Sequence, residues 1–123
     1  MDWPEVLTPA RLEVTAERVA AYAEVTQDFN PLHLDAEFAA GTPFGRPIAH
    51  GTMNLALVWE AAAATFGPRA RVRHAEVRFS RPAPVGCVLE ATGRHLGGGR
   101  YAVEVRTDAG EVAVTAEIAM EPA

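Results

Sequence analysis

The spacing of apolar residues changes along the chain and divides it into a helical half and a stranded half. Val19, Tyr22, Ala23 and Thr26 fall at the i, i+3, i+4, i+7 spacing, which predicts an amphipathic helix over Thr15–Thr26. Thr15 is its expected N-cap, and Glu17 in the first turn suits the helix dipole. A short helical turn is expected at Ala36–Ala40, capped by Asp35 and ended by Gly41. The stretch "TPFGRPIAHG" is loop chemistry, with its prolines and glycines close together. Thr52–Phe66, "TMNLALVWEAAAATF", is apolar nearly all round and is closed by Gly67-Pro68, a helix stop. A helix apolar on every side is expected to be buried on every side.

After Pro68 the period drops to two. Ala75, Val77 and Phe79 alternate with polar residues in "AEVRF". The same holds for Tyr101, Val103 and Val105 in "YAVEVRT", and for Val112, Val114, Ala116, Ile118 and Met120 in "VAVTAEIAM". These are expected to be half-buried strands. Gly97-Gly98-Gly99 and Asp108-Ala109-Gly110 are the predicted hairpin turns, and Pro82 and Pro84 impose a broader loop before Val85. Helices first and an antiparallel sheet afterwards make an α+β fold. The economical arrangement curves the sheet around the one apolar helix.

Length limits this to a single domain over residues 1–123. The net charge is −5 and every one of the 11 basic residues is Arg. An acidic chain with scattered Arg argues against general nucleic-acid binding, which needs a basic face. Cys87 is the only cysteine, which excludes an internal disulfide and a Cys-based zinc site and suits a reducing compartment. The start, "MDWPEV", lacks a signal-peptide pattern, and the longest apolar run, Leu55–Phe66, is short for a bilayer and interrupted by Glu60. A cytoplasmic protein without a membrane span is expected.

The candidate chemistry lies between the predicted helices, in "TQDFNPLHLD". Pro31 fixes its own φ and drives Asn30 extended, so the loop is stiff. Asp28 and His33 can then face one cavity. A carboxylate beside an imidazole is suited to hold a water molecule and move its protons. Each residue alone has a structural explanation, since Asp and Asn favour turns and a His between two leucines packs readily. The second element is "RPIAHGTM". His50-Gly51 stands directly before the apolar helix, whose first amides lack internal partners and sit at the positive end of the dipole. Glycine admits a ligand close to the backbone, so the Gly51 N–H is a ready donor to an oxyanion. A tight entry to the helix, with His50 as packing, explains the same residues structurally.

Together, "YAEVTQDFNPLHLDAEFAA", "FGRPIAHGTM" and, more weakly, "VRFSRPAPVG" resemble the MaoC-like dehydratase family, the (R)-specific enoyl-CoA hydratases. The family's usual Gly-Asp after Pro-Val is Gly86-Cys87 here, outside the signature. The resemblance implies a hotdog fold and a homodimer. It implies that Asp28 and His33 activate water for addition to a trans-2-enoyl thioester, giving the (R)-3-hydroxyacyl product. It implies that the Gly51 N–H holds the thioester oxygen and that Asn30 keeps the loop in shape. Coenzyme A would enter as part of the substrate, with acyl carrier protein the alternative carrier, and no metal or separate cofactor is expected. Asn30, His50 and Trp59 are the substrate-pocket candidates, and Arg46 and Arg81 the candidate partners for the carrier's phosphates. His74 and His95 are expected on the surface.

Two other functions fit the same fold. A hotdog acyl-CoA thioesterase would place its carboxylate on the central helix, where Glu60 is the only acid. A non-catalytic acyl-thioester-binding subunit of a hetero-oligomer has no need of both Asp28 and His33, yet this chain has both.

Overall fold

The computed structural model describes residues 2–122. Its elements run β1 (Ala10–Glu13), α1 (Ala16–Thr26), α2 (Pro31–Leu34), α3 (Ala36–Ala40), α4 (Gly51–Phe66), β2 (Val72–Phe79), β3 (Val88–Gly97), β4 (Arg100–Thr107) and β5 (Val112–Met120). The strands form one five-stranded antiparallel sheet in the order β1-β3-β4-β5-β2. The sheet wraps α4, and the core lies between them: Leu57, Val58, Ala61 and Ala62 from the helix meet Leu89, Val103, Val105, Val114 and Ile118 from the strands.

Local chemistry explains most of the boundaries. The Thr15 side chain accepts the Arg18 amide hydrogen and starts α1. Asp35 accepts from the Glu37 and Phe38 amides and starts α3. Gly97, Gly98 and Gly99 all have positive φ, at 113°, 59° and 83°, so the β3–β4 turn needs residues without a Cβ. The segment before α4 is held like a strand: the Ala49 amide donates to the Ala83 carbonyl and the Val85 amide to the Pro47 carbonyl, both at 2.8 Å. This clamp fixes the entry of α4.

The structure departs from the sequence reading in several places. β1 was not expected; its four residues pair with β3 at the sheet edge. The stiff bend after Asn30 closes into the helical turn α2, with Pro31 at the first position and the Asn30 side chain as N-cap. Proline's fixed φ and missing N–H are harmless there. Phe79 shares a face with Ala75 and Val77 but is 54% exposed, because it lies at the open end of the sheet beside Gly51, beyond the core. His95 is not a surface residue. It continues the inward alternation of Leu89, Ala91 and Gly93 and is half-buried, with its ring 5.1 Å from Tyr101 and 6.4 Å from Trp3. His74 is exposed as expected, beside Glu76.

Nor is α4 buried on every side. Met53, Asn54, Leu57, Val58, Ala61 and Ala62 are covered, whereas Ala56, Trp59, Glu60, Ala63 and Ala64 are exposed. One sheet curls over only one side of a helix. Among the described residues, no helix is long and apolar enough to cross a membrane.

Candidate active site

The loop with Asp28 is shaped by backbone and side-chain bonds in sequence. α1 ends at Gln27, whose φ of 58° is left-handed, and the Asp28 amide donates back to the Ala23 carbonyl at 3.1 Å. That reversal turns Asp28 away from the helix. Its Oδ1 accepts the Asn30 amide hydrogen at 3.3 Å, and Asn30 Oδ1 accepts the Leu32 amide hydrogen at 2.9 Å. Asn30 therefore shapes the loop rather than lining a pocket, and its carbonyl receives the His33 amide at 3.0 Å. Asp28 Oδ2 remains free.

His33 is fixed from the other side. Its Nδ1 lies 2.7 Å from the Ile48 carbonyl oxygen. A carbonyl only accepts, so Nδ1 carries the hydrogen and the neutral ring has its lone pair on Nε2. That Nε2 is 4.0 Å from Asp28 Oδ2. The gap is too long for a direct hydrogen bond. Two atoms that each bond one water molecule at normal length stand roughly 4–5 Å apart, so the separation suits a single bridging water.

His50 locks the pair in place. Its Nε2 donates to the Asp28 carbonyl oxygen at 3.1 Å, and its ring stacks on His33 with centroids 3.9 Å apart. Only 3% of His50 is exposed. The Tyr22 ring packs 5.0 Å from His50 and its hydroxyl meets the Thr52 hydroxyl at 2.6 Å. His50 thus positions Asp28 and His33 and is not a pocket-wall residue of the kind expected from the sequence.

A cavity of about 220 Å³ opens beside this group, lined by His33, Gly51, Asn54, Phe79, Ser80 and Arg81 among others. Gly51 is the first residue of α4, so its amide has no partner within the helix. The sequence-derived donor therefore stands in the wall of the same cavity as His33. Among the described residues, Asp28, His33 and His50 also form the one cluster with spacing suited to a metal ion. Their chemistry fits that poorly: His50 Nε2 is committed as a donor to the Asp28 carbonyl, which turns the unpartnered His50 Nδ1 away from Asp28 and leaves His33 Nε2 and one carboxylate oxygen facing each other.

These features agree with the comparisons to known proteins. A family model described as the MaoC like domain matches residues 4–118. The chain belongs to the MaoC-like domain family. A 3-hydroxybutyryl-CoA dehydratase of Methylorubrum extorquens is 37% identical over 79 residues, covering 63% of this chain and 50% of that protein. A 3-hydroxyacyl-thioester dehydratase Z of Mycobacterium tuberculosis is 37% identical over 89 residues, covering 68% and 59%. The chain thus spans about half the length of these curated relatives. The solved (R)-hydratase from A. caviae involved in PHA biosynthesis superposes with a TM-score of 0.83 at 32% identity, covering 98% of both chains. The hotdog fold of MaoC-like hydratases is therefore the fold of this chain.

The remaining expected residues separate. Arg81 lies at the cavity wall, with its guanidinium 3.8 Å from Glu111. Arg46 points instead toward the Val85 carbonyl, at 3.4 Å, and over Gly86. Trp59 lines a different hollow with Val72, Arg73 and His74, because its position on α4 faces away from the sheet's inner surface. Glu60 is on that outer side too, beside Arg18, Tyr22 and Ala56, and not in the cavity of His33 and Gly51. Sequence reasoning missed Asn54 and Ser80 in the cavity wall. The signal for Asn54 was present, as a lone amide in an otherwise apolar run one turn after His50-Gly51.

Proposed function

We propose that this MaoC-like protein is an (R)-specific enoyl-thioester hydratase, adding water reversibly across the double bond of a trans-2-enoyl thioester. The observation that carries the reading is the 4.0 Å separation of Asp28 Oδ2 from His33 Nε2 beside a cavity that also holds the first residue of α4. The names of the relatives support the same reaction class.

In this reading a water molecule bridges Asp28 and His33. His33 Nε2 takes one proton while Asp28 Oδ2 accepts the other hydrogen and steadies the resulting imidazolium. The water oxygen bonds to C3 and the π electrons of the C2–C3 bond move toward the thioester oxygen. The Gly51 N–H, at the positive end of α4, holds the charge that develops there. The imidazolium then gives its proton to C2, so the elements of one water molecule are added and the pair returns to its first state. Both new bonds form on the face of the substrate turned to His33. The thioester acidifies C2, so the chemistry draws on no metal or redox group.

The cavity suits a short acyl group, and the Arg81 side chain at its wall supports a contact with the carrier's phosphates. The exposed apolar side of α4 and the apolar groove between it and α1, lined by Leu12, Val25, Met53 and Ala56, support a homodimer that covers them. The buried free thiol of Cys87 fits work in the cytoplasm. The position of Glu60 outside the cavity weighs against a thioesterase. Incubation with but-2-enoyl-CoA and with butanoyl-CoA tests the assignment: loss of enoyl absorbance without thiol release supports it, and thiol release from the saturated thioester overturns it.

A further inference from the structure

Asn54 lies on α4 three residues beyond Gly51 and is 3% exposed. It is the one polar side chain on the covered face of that helix, between Met53, Leu57, Val58, Ala61 and Ala62. Its Oδ1 is buried without a hydrogen-bond partner among the described residues. The residue lines the cavity of His33, Gly51 and Ser80. A buried amide with an unmatched atom weakens a fold, and a leucine of similar size would fill the space without that loss. Packing therefore does not explain an amide here.

Three other groups of the site already have tasks in hydration. Gly51 serves the thioester oxygen, and Asp28 and His33 serve the water. The side chain of Asn54 leans toward the N-terminus of α4, as helical side chains do, which carries its amide toward the reacting end of the cavity. An alkyl chain pressed against it would leave the buried Oδ1 unmatched. An acyl group with a hydrogen-bond donor would match it.

We propose that Asn54 is a specificity residue, and that the preferred acyl groups carry a hydroxyl group on C4 or C5, close to the double bond, where it donates to Asn54 Oδ1. The proposal rests on the enoyl-thioester hydratase reading. A site built to bond a polar substituent discriminates strongly against the analogue lacking it, because its own group is then stranded.

The test uses matched pairs: but-2-enoyl-CoA with 4-hydroxybut-2-enoyl-CoA, and pent-2-enoyl-CoA with 5-hydroxypent-2-enoyl-CoA. The hydroxy-to-plain ratio of kcat/KM is measured for the wild type, Asn54→Leu and Asn54→Ala. Comparing ratios between proteins cancels the intrinsic reactivity of each substrate. The expected result is a fall in the ratio of about 10–100-fold in both variants for at least one pair. Asn54→Leu is also expected to melt at or above the wild type, and Asn54→Ala provides the readout should the leucine misfold. An unchanged ratio overturns the proposal. So does an equal loss on all four substrates, which would make Asn54 a donor to the thioester oxygen or a structural residue. Both failures leave the wild type's hydratase activity, and with it the hydratase reading, standing. A wild type that hydrates none of the four overturns the hydratase reading itself, and this proposal with it.

Discussion

Replacing Gly51 with proline removes one hydrogen atom from the site while asking little of the fold. Proline is tolerated at the first position of a helix, where the N–H has no helical partner. Residue 51 is that position, and His50 before it already has φ −63° and ψ 139°, the extended conformation that a residue preceding proline requires. A Cβ at Gly51 would lie 3.3 Å from Cδ1 of the Phe79 ring, which is half exposed and able to yield. Gly51→Ala makes the same contact and keeps the N–H, so it isolates the donor from the steric change. Loss of a donor to a developing oxyanion costs about 2.7–4 kcal/mol, or 10²–10³ in kcat. Gly51→Pro should therefore hydrate but-2-enoyl-CoA about 10²–10³ more slowly than Gly51→Ala, with matching circular dichroism and melting temperatures within a few degrees. Equal turnover by the two variants would refute the role given to the helix terminus.

Other parts of the structure make separate predictions. Gln27→Gly relieves a left-handed residue at the end of α1 and should raise stability by about 0.5–1 kcal/mol, seen as a melting temperature about 2–5 °C higher; no increase would mean that the 2.7 Å bond from Gln27 Nε2 to the Glu24 carbonyl offsets the strain. Burial, with the Asp108 charge adding to it, pushes the Cys87 thiol above its ordinary range, so less thiolate exists at pH 7.5. Native protein should then react with an aromatic disulfide at least about tenfold more slowly than unfolded chain, and faster only as pH rises through the raised value; rapid native labelling would contradict the burial. Arg81→Ala should raise KM for a CoA thioester several-fold with kcat nearly unchanged, and a fall in kcat alone would place Arg81 in the chemistry instead.

Much of this was readable from residue spacing. Tyr101, Val103 and Val105 alternate within the eight-residue β4 and the structure buries all three, because a strand between two neighbours has one face on the core. Thr15 and Asp35 declared their caps because a cap depends on bonds three residues away or fewer. The meeting of Asp28 and His33 was legible for the same reason: a proline-stiffened bend sets it locally. Long-range placement was not legible. β1 is four residues long, too short for its alternation to register, and exists through its partner β3. His95 became interior because Trp3, far away in sequence, covers it. Glu60 and Trp59 could not be assigned from composition, since the rotation of α4 against the sheet decides which side faces the core. The role of His50 as a brace on Asp28 depends on a bond across 22 residues, which no local pattern contains.

The central claim is that Asp28 and His33 share one water molecule and deliver it to a single face of an enoyl thioester. Asp28→Asn keeps the size and the Oδ1 acceptor that the Asn30 amide uses, while removing the carboxylate charge. The measurement is hydration of but-2-enoyl-CoA by wild type and Asn54-intact Asp28→Asn, with the chirality of the 3-hydroxybutanoyl product determined. The account predicts (R) product from the wild type and a loss of about 10²–10⁴ in kcat for the folded variant. Racemic or (S) product, or a variant turning over within a few-fold of the wild type, would contradict it.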